Sequence, residues 1–173
     1  HWQDGLNLRT AGGAAIPPAG DVEDPYELGN RGVNYRTERF APRLARDGSQ
    51  ANVFSSVVHG DPATPLLRAY VGDAMRIRLL TGSDRGRAHS FVLGGHGWNY
   101  QAADPESTVV SARGLLLATQ ASSLDLVGGA GGPRAVSGDF LYRDGNQVNQ
   151  TNAGLWGILR VHATAQPDLP AVR

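Results

Sequence analysis

Residues 66–79, LLRAYVGDAMRIRL, show how this chain is built. An apolar run over residues 66–71 ends at the turn pair Gly72-Asp73, and apolar and arginine side chains then alternate: Met75, Arg76, Ile77, Arg78, Leu79. Because successive side chains of a strand point to opposite faces, this pattern predicts two β-strands joined by a tight turn. The second strand would turn its apolar face to a core and its arginines to solvent.

The same pattern of short apolar runs and turn residues fills the chain from about residue 52 onward. The predicted strands are Val53–Val58, Leu66–Val71, Met75–Leu79, His89–Leu93, Ser107–Ser111, Gly114–Thr119, Ser123–Val127, Asp139–Arg143 and Leu155–His162. No window gives a helical stripe longer than a turn or two. We therefore predict an all-β Greek-key β-barrel or sandwich, with helix below about one-fifth of the chain.

Alternation along these strands also predicts which side chains form the core. We expect the following residues to be mostly buried: Val71, Met75, Ile77, Leu79, Phe91, Leu93, Leu126, Phe140, Tyr142, Leu159 and Val161. Trp156 falls on the opposite face of the last strand, where we expect it to pack against the N-terminal region or a partner.

Three segments are expected along the chain. Residues 1–50 hold one strand and then an irregular covering arm, because the prolines and glycines within residues 11–34 disfavour a helix or strand interior. Residues 51–165 form the β domain, and residues 166–173 form a C-terminal tail or linker. Four aromatic residues would anchor the arm: Trp2, Tyr26, Tyr35 and Phe40.

The composition excludes several classes of function. The 16 basic and 16 acidic residues balance, which argues against a nucleic-acid or anionic-membrane partner. There is no Cys, so disulfides, thiolate metal sites and cysteine nucleophiles are excluded. No apolar stretch reaches the length of a membrane span. The chain opens without Met and without a signal peptide, so we expect a processed or excised piece.

Several stretches, in their order along the chain, resemble a domain of the multicopper oxidase family. They are Gln3–Leu8, Gly32–Arg36, Val57–Pro65 with Leu67–Asp73, Arg76–Leu80, His89–Trp98, Gly138–Arg143 and Gly154–His162. Within this family they are most similar to large bacterial, manganese-oxidase-like members. The resemblance implies a cupredoxin-like fold, copper as the cofactor of the parent protein, and a secreted, periplasmic or cell-surface location.

The copper ligands that this resemblance implies are largely missing. His89 falls on the type 1 copper histidine, but the other ligand positions hold different residues: Val92 and Gly94 for histidines of the trinuclear cluster, Leu141, Tyr142 and Arg143 for the His-Cys-His, and Leu155 near the axial Met. The composition also argues against copper in this chain. A blue copper site needs a thiolate and a trinuclear cluster needs His-x-His pairs, and the sequence contains neither. The five histidines are scattered instead: His1, His59, His89, His96 and His162.

Two metal sites remain candidates. His89 and His96 flank the Gly94-Gly95 break, so they could converge on one copper or zinc ion; the competing interpretation is a hydrogen-bonded core histidine and a loop histidine. His1 would bind copper through its amine and imidazole only if it is the mature N-terminus.

Other motifs are weaker. We interpret the glycine-rich stretch 128–132 as a flexible hairpin loop rather than a phosphate cradle, because Pro133 and a strand follow it. The glycosylation pattern Asn149-Gln150-Thr151 is interpreted as accidental. A group of acidic side chains is interpreted as a solvated loop face rather than a calcium site: Asp21, Glu23, Asp24 and Glu27. No Gly-x-Ser-x-Gly elbow supports a hydrolase.

Three functions stay open. The first is a copper-free structural or interaction domain that contacts other cupredoxin domains of the same protein or assembly. The second is one part of an active oxidase whose copper lies in other domains or chains, coupling substrate oxidation to O₂ reduction. The third is a small copper-binding protein that uses its histidines. No catalytic residue is predicted in this chain, so we expect the isolated chain to be inactive, while the parent protein could be a copper-dependent oxidoreductase.

Overall fold

The structure is a computed structural model that describes residues 2–6, 9–15, 30–82, 88–146 and 148–171. These ranges contain eleven strands: β1 (Trp2–Leu6), β2 (Asn30–Val33), β3 (Leu67–Tyr70), β4 (Arg76–Leu80), β5 (His89–Leu93), β6 (Trp98–Asn99), β7 (Val109–Val110), β8 (Ala112–Leu116), β9 (Ala121–Asp125), β10 (Gly138–Asp144) and β11 (Trp156–His162). They also contain three short α-helices: α1 (Phe40–Asp47), α2 (Ser56–His59) and α3 (Val148–Asn152).

A five-stranded sheet in the order β3-β11-β10-β5-β8 forms the main layer. β10 pairs antiparallel with both β11 and β5, and β5 pairs antiparallel with β8. β3 pairs parallel with β11. A hairpin cannot connect parallel neighbours, and most of the chain lies between these two strands in sequence. Three two-stranded sheets complete the architecture: β1-β2, β4-β9 and β6-β7. The sheets lie in a sandwich-like arrangement, which confirms the all-β prediction.

The core follows the predicted alternation. β5 and β11 are the most deeply buried strands, and seven of the predicted core residues are buried: Leu79, Phe91, Leu93, Leu126, Tyr142, Leu159 and Val161. The remaining four are partly buried and pack against that cluster: Val71, Met75, Ile77 and Phe140. The predicted inward faces are therefore confirmed, although β11 is buried on both faces and its register does not follow from burial alone.

Two predicted segments have a different structure. Residues 1–50 are not irregular throughout, because Asn30–Val33 forms β2 and Phe40–Asp47 forms helix α1. Pro42 lies in the first turn of α1, where its missing N–H costs no helical hydrogen bond. The helix ends at Gly48, whose φ of 69° gives the left-handed cap that glycine adopts readily.

The predicted strand Val53–Val58 is also wrong. A 3-10 turn, Gln50–Asn52, leads into helix α2, and the Ser55 hydroxyl accepts a hydrogen bond from the Val58 N–H at 3.3 Å. This capping interaction outweighs the strand preference of the valines. We call residues 40–59, with α1, the turn and α2, the helical cap.

The predicted anchors of the arm divide into three groups. Trp2 is 2% exposed and lies in the core against Phe91, and Phe40 packs on Trp156, as predicted. Tyr35 is 58% exposed and is not an anchor. It lies within the tight turn between Val33 and Arg36, with a φ of 63°. Tyr26 lies outside the described residues.

Residues 163–171 fold back on the edge strand β3. Arg68 forms a bidentate ion pair with Asp168 at 2.6 and 2.9 Å. The Tyr70 hydroxyl accepts from the Gln166 N–H at 2.8 Å and donates to the Leu169 carbonyl at 2.5 Å. The Arg68 guanidinium lowers the pKa of Asp168 below its ordinary value. None of the helices in the described ranges is long and apolar enough to cross a membrane.

Candidate functional site

The antiparallel pair β5–β10 carries most of the residues that the resemblance places at copper positions. Tyr142 lies opposite Leu93, Arg143 opposite Val92, and Asp144 opposite Phe91. Strand alternation then separates two faces of this pair. The inner face carries His89, Phe91, Leu93, Tyr142 and Asp144, all of which are buried.

His89 is held on the inner face by a carboxylate. Its Nδ1 lies 2.6 Å from Asp144 Oδ2, and both side chains are completely buried. The second carboxylate oxygen of Asp144 accepts from the N–H groups of Ser90 at 3.3 Å and Asn146 at 2.7 Å. Three donors therefore converge on Asp144, which is the arrangement that makes a buried carboxylate tolerable.

Tyr142 stands where the resemblance places the cysteine. Its hydroxyl donates to the Pro65 carbonyl at 2.5 Å, and burial raises the pKa of the phenol above its ordinary value. The ring occupies the space over Gly157 on β11, because a Cβ at that position would meet the Tyr142 hydroxyl oxygen at 2.1 Å. Tyr142 and Gly157 are thus a matched large and small pair across β10 and β11.

The outer face of the same strands groups the four positions assigned to trinuclear histidines. Arg143 and Val92 are direct cross-strand partners, and the Gly94 N–H donates to the Leu141 carbonyl at 2.9 Å. The positions are adjacent, but they present two aliphatic side chains, a glycine and a cation. The Arg143 guanidinium donates to the Asp144 carbonyl at 2.8 Å.

His96 has a different environment from His89. Its Nε2 accepts the Gly131 N–H at 3.0 Å, and its Nδ1 lies 2.8 Å from the Gly94 carbonyl. An N–H on Nδ1 and a lone pair on Nε2 satisfy both contacts, so the hydrogen bonds select this neutral tautomer. The ring edge also packs on Phe140, with ring centroids 4.7 Å apart. His96 therefore joins the β5–β6 turn to the glycine-rich loop.

That glycine-rich loop, residues 128–132, is a buried structural element. Residues 129–132 are buried, and their N–H groups donate within the protein: Gly129 to Leu126, Ala130 to Asp73, Gly131 to His96 and Gly132 to Gly129. A Cβ on Gly132 would lie 2.6 Å from the Gly95 carbonyl oxygen. The loop uses glycine because two backbone segments meet there, and these four amides are not available to hold a phosphate.

The remaining candidates are placed as follows. His1 and the acidic residues of 21–27 lie outside the described residues. Thr151 of the glycosylation pattern is buried in α3 and donates its hydroxyl to the Asp144 carbonyl at 2.9 Å. Within the part of the chain that the structure describes, no group of three or more His, Cys, Asp or Glu side chains is arranged to hold a metal ion.

Sequence reasoning missed two residues of this site. Asp144 lies one residue beyond the predicted strand Asp139–Arg143 and has no predicted role, although it is the partner of His89 from 55 positions away. Gly131 was assigned to a flexible loop, although it donates to His96. A buried polar residue needs a partner, so a histidine within an apolar strand pattern is itself a signal to search for one. The sequence alone does not identify which acidic residue is the partner of His89.

Comparisons with known proteins identify the fold. No protein-family model matches the sequence, and no curated protein matches it. Among solved structures, the chain is similar to copper nitrite reductase from Nitrosomonas europaea, with 17% identity, a TM-score of 0.54, and coverage of 86% of this chain and 48% of that one.

Two multicopper oxidase structures are also similar. One has 14% identity, a TM-score of 0.46, and coverage of 58% of this chain and 36% of that one. The other, from Campylobacter jejuni, has 10% identity, a TM-score of 0.45, and coverage of 73% and 28%. The chain thus spans about half or less of each of these structures. Together with the strand order and the buried β5–β10 pair, the similarity to the nitrite reductase shows that this chain has a cupredoxin-like fold.

Proposed function

We propose that this chain is a copper-free structural and interaction domain of a larger multicopper-oxidase-like protein. The observation that carries the proposal is the inner face of β5 and β10. The positions that the resemblance assigns to type 1 copper ligands hold a His89–Asp144 hydrogen bond and a Tyr142 hydroxyl bonded to Pro65. These contacts link strands in the place where a metal would otherwise do so.

Copper does not fit the residues present. The chain has no Cys to supply the thiolate of a blue site. His89 has its Nδ1 committed to Asp144, and the outer face offers Arg143, a fixed cation, next to Val92. A metal at His96 would have to replace one of its two hydrogen bonds. We derive no redox step through this domain.

The chain spans 48% of the nitrite reductase structure, a coverage that fits either candidate. The second candidate is one domain of an active enzyme. In that case the chain would belong to an active oxidase whose copper lies in other domains or chains. Its partners would be other cupredoxin domains, and its location secreted, periplasmic or cell-surface. The proposed segments remain 1–50, 51–165 and 166–173.

The test is to load the purified chain with Cu(II), dialyse it, and record absorption near 600 nm, electron paramagnetic resonance and turnover of a phenolic substrate. We expect no blue centre and no turnover. A stoichiometric blue centre, or turnover that chelation abolishes and copper restores, would overturn the proposal. Copper bound at His89 or His96 without a blue band would be lost in H89Q or H96Q, and would favour the small copper-binding protein instead.

A further inference from the structure

A second histidine, remote in sequence from the β5–β10 site, lies at the end of helix α2. The side chain of His59 is completely buried. Within the described part of the chain, neither of its ring nitrogens has a hydrogen-bond partner. A neutral imidazole carries one N–H and one lone pair, and burying both without partners is unfavourable. The ring therefore has an unused lone pair in the interior of the helical cap.

Asp47, the last residue of α1, faces this ring. Its Oδ1 lies 3.7 Å from His59 Nε2, which is too far for a hydrogen bond. The carboxylate is held in place by its own partners: Oδ1 accepts from the Ser49 N–H at 3.1 Å, and Oδ2 accepts from the Asn52 side-chain amide at 3.0 Å. These hydrogen bonds lower the pKa of Asp47 below its ordinary value, with Asn52 as the largest cause.

We propose that His59 and Asp47 bind one divalent transition-metal ion of the zinc class. Zinc bonds to imidazole nitrogen and carboxylate oxygen are about 2.0–2.2 Å long, so two such bonds span the 3.7 Å gap with a bent angle at the metal. The Asn52 and Ser49 contacts orient the carboxylate as outer-shell hydrogen bonds do in known metal sites.

The surroundings set the character of the site. Asp47 is 21% exposed, so water can reach the ion and complete its coordination. With two protein ligands we expect weak, exchangeable binding rather than a permanent structural zinc. Two arginines of the cap bind neighbouring carbonyls rather than the ring: Arg46 Nη1 donates to the His59 carbonyl at 3.3 Å, and Arg43 Nη2 donates to the Gly60 carbonyl at 3.2 Å. Binding would join the ends of α1 and α2 and tighten the helical cap.

The test is a calorimetric titration of the purified chain, without a polyhistidine tag, with Zn(II) at neutral pH. We expect one equivalent to bind in the wild type. Binding should be lost in H59Q and in D47N, and N52A should weaken it about tenfold through the loosened carboxylate. H162Q is the matched control, because His162 accepts from Arg68 at 3.3 Å outside the cap, and should bind as the wild type does. Mg(II), which prefers oxygen ligands, should not bind.

Amide hydrogen exchange gives an independent readout. Zn(II) should slow exchange in residues 40–60 of the wild type and leave D47N unchanged. No binding by the wild type, or binding that H59Q and D47N both retain, would overturn the proposal. If H59Q does not fold, D47N decides, because Asp47 is at the surface. The outcome is separable from that of the copper experiment, since a site without thiolate gives no blue band.

Discussion

The inner face of the β5–β10 pair and the helical cap are each stabilised by a buried charged residue, but the two residues differ in their surroundings. In the barrel, His89 and Asp144 are both completely buried and lie on neighbouring strands. In the cap, Arg43 is 2% exposed, donates to Glu38 at 2.7 Å, and also donates to the carbonyls of Val53 and Gly60. The His89–Asp144 pair lies in a core whose residues can already be predicted from strand alternation. Arg43 instead holds together two short helices, α1 with eight residues and α2 with four.

Trp156 is where the two regions meet. It is the first residue of β11, is fully buried, and packs edge-to-face on Phe40 and Phe54. Arg43 lies over its ring at 4.9 Å, and its indole N–H donates to the Glu38 carbonyl at 2.5 Å. One aromatic side chain on the outer face of the sheet therefore supplies the core of the cap.

The largest expected effect comes from removing that side chain. Trp156→Ala should cost about 3–5 kcal/mol of unfolding free energy, as should Phe91→Ala in the barrel core. The two losses should differ in place. We expect W156A to remove hydrogen-exchange protection in residues 40–60 first, and F91A to reduce it in β5, β10 and β11 together. If W156A lowers protection evenly over the whole chain, the cap is not a separate unit.

Two matched carboxylate-to-amide substitutions compare the His89–Asp144 and Arg43–Glu38 interactions. Asp144→Asn should cost about 1.5–3 kcal/mol, because an amide must turn its NH₂ either to His89 or to the N–H groups of Ser90 and Asn146. Glu38→Gln should cost less, since Glu38 is 20% exposed and water can replace part of the lost interaction. Urea unfolding measures both. The NMR chemical shifts of the His89 ring nitrogens should also show a change of tautomer in D144N alone. Equal losses of unfolding free energy in the two variants would mean that the difference in burial has no effect on stability.

The strands and much of the core could be predicted from the sequence because alternation is a local signal. Phe91 and Leu93, for example, follow from the period of β5 alone. The cap could not be predicted, because α1 has only eight residues and its Phe40 packs on Trp156, more than 100 positions later. His96 shows the same limit: its hydrogen bond to Gly131 spans 35 residues and depends on how two turns meet.

The smallest effect tests the link between cap and barrel. Asp61, just after α2, accepts two hydrogen bonds from Arg160 of β11 at 2.7 and 3.0 Å, and these lower the pKa of Asp61 below its ordinary value. A carboxyl whose folded pKa is lowered stabilises the fold above about pH 4, and this contribution is lost as the pH falls through the lowered pKa. Because Asp61 is 44% exposed, Asp61→Asn should cost below about 1 kcal/mol at pH 7.

The pH dependence of D61N is the sharper measurement. Between pH 5 and pH 2 its unfolding free energy should fall less steeply than that of the wild type, because one of the carboxylates that bind Arg160 no longer titrates. Asp139, which accepts from Arg160 at 2.7 Å, keeps the guanidinium in place. D168N removes another carboxyl of lowered pKa, so its pH curve should also flatten, but it breaks the Arg68 pair at the C-terminal tail and should leave hydrogen-exchange protection of the cap unchanged. Parallel pH curves for D61N and the wild type would show that the cap is held by Trp156 and Arg43 without help from the Asp61–Arg160 pair.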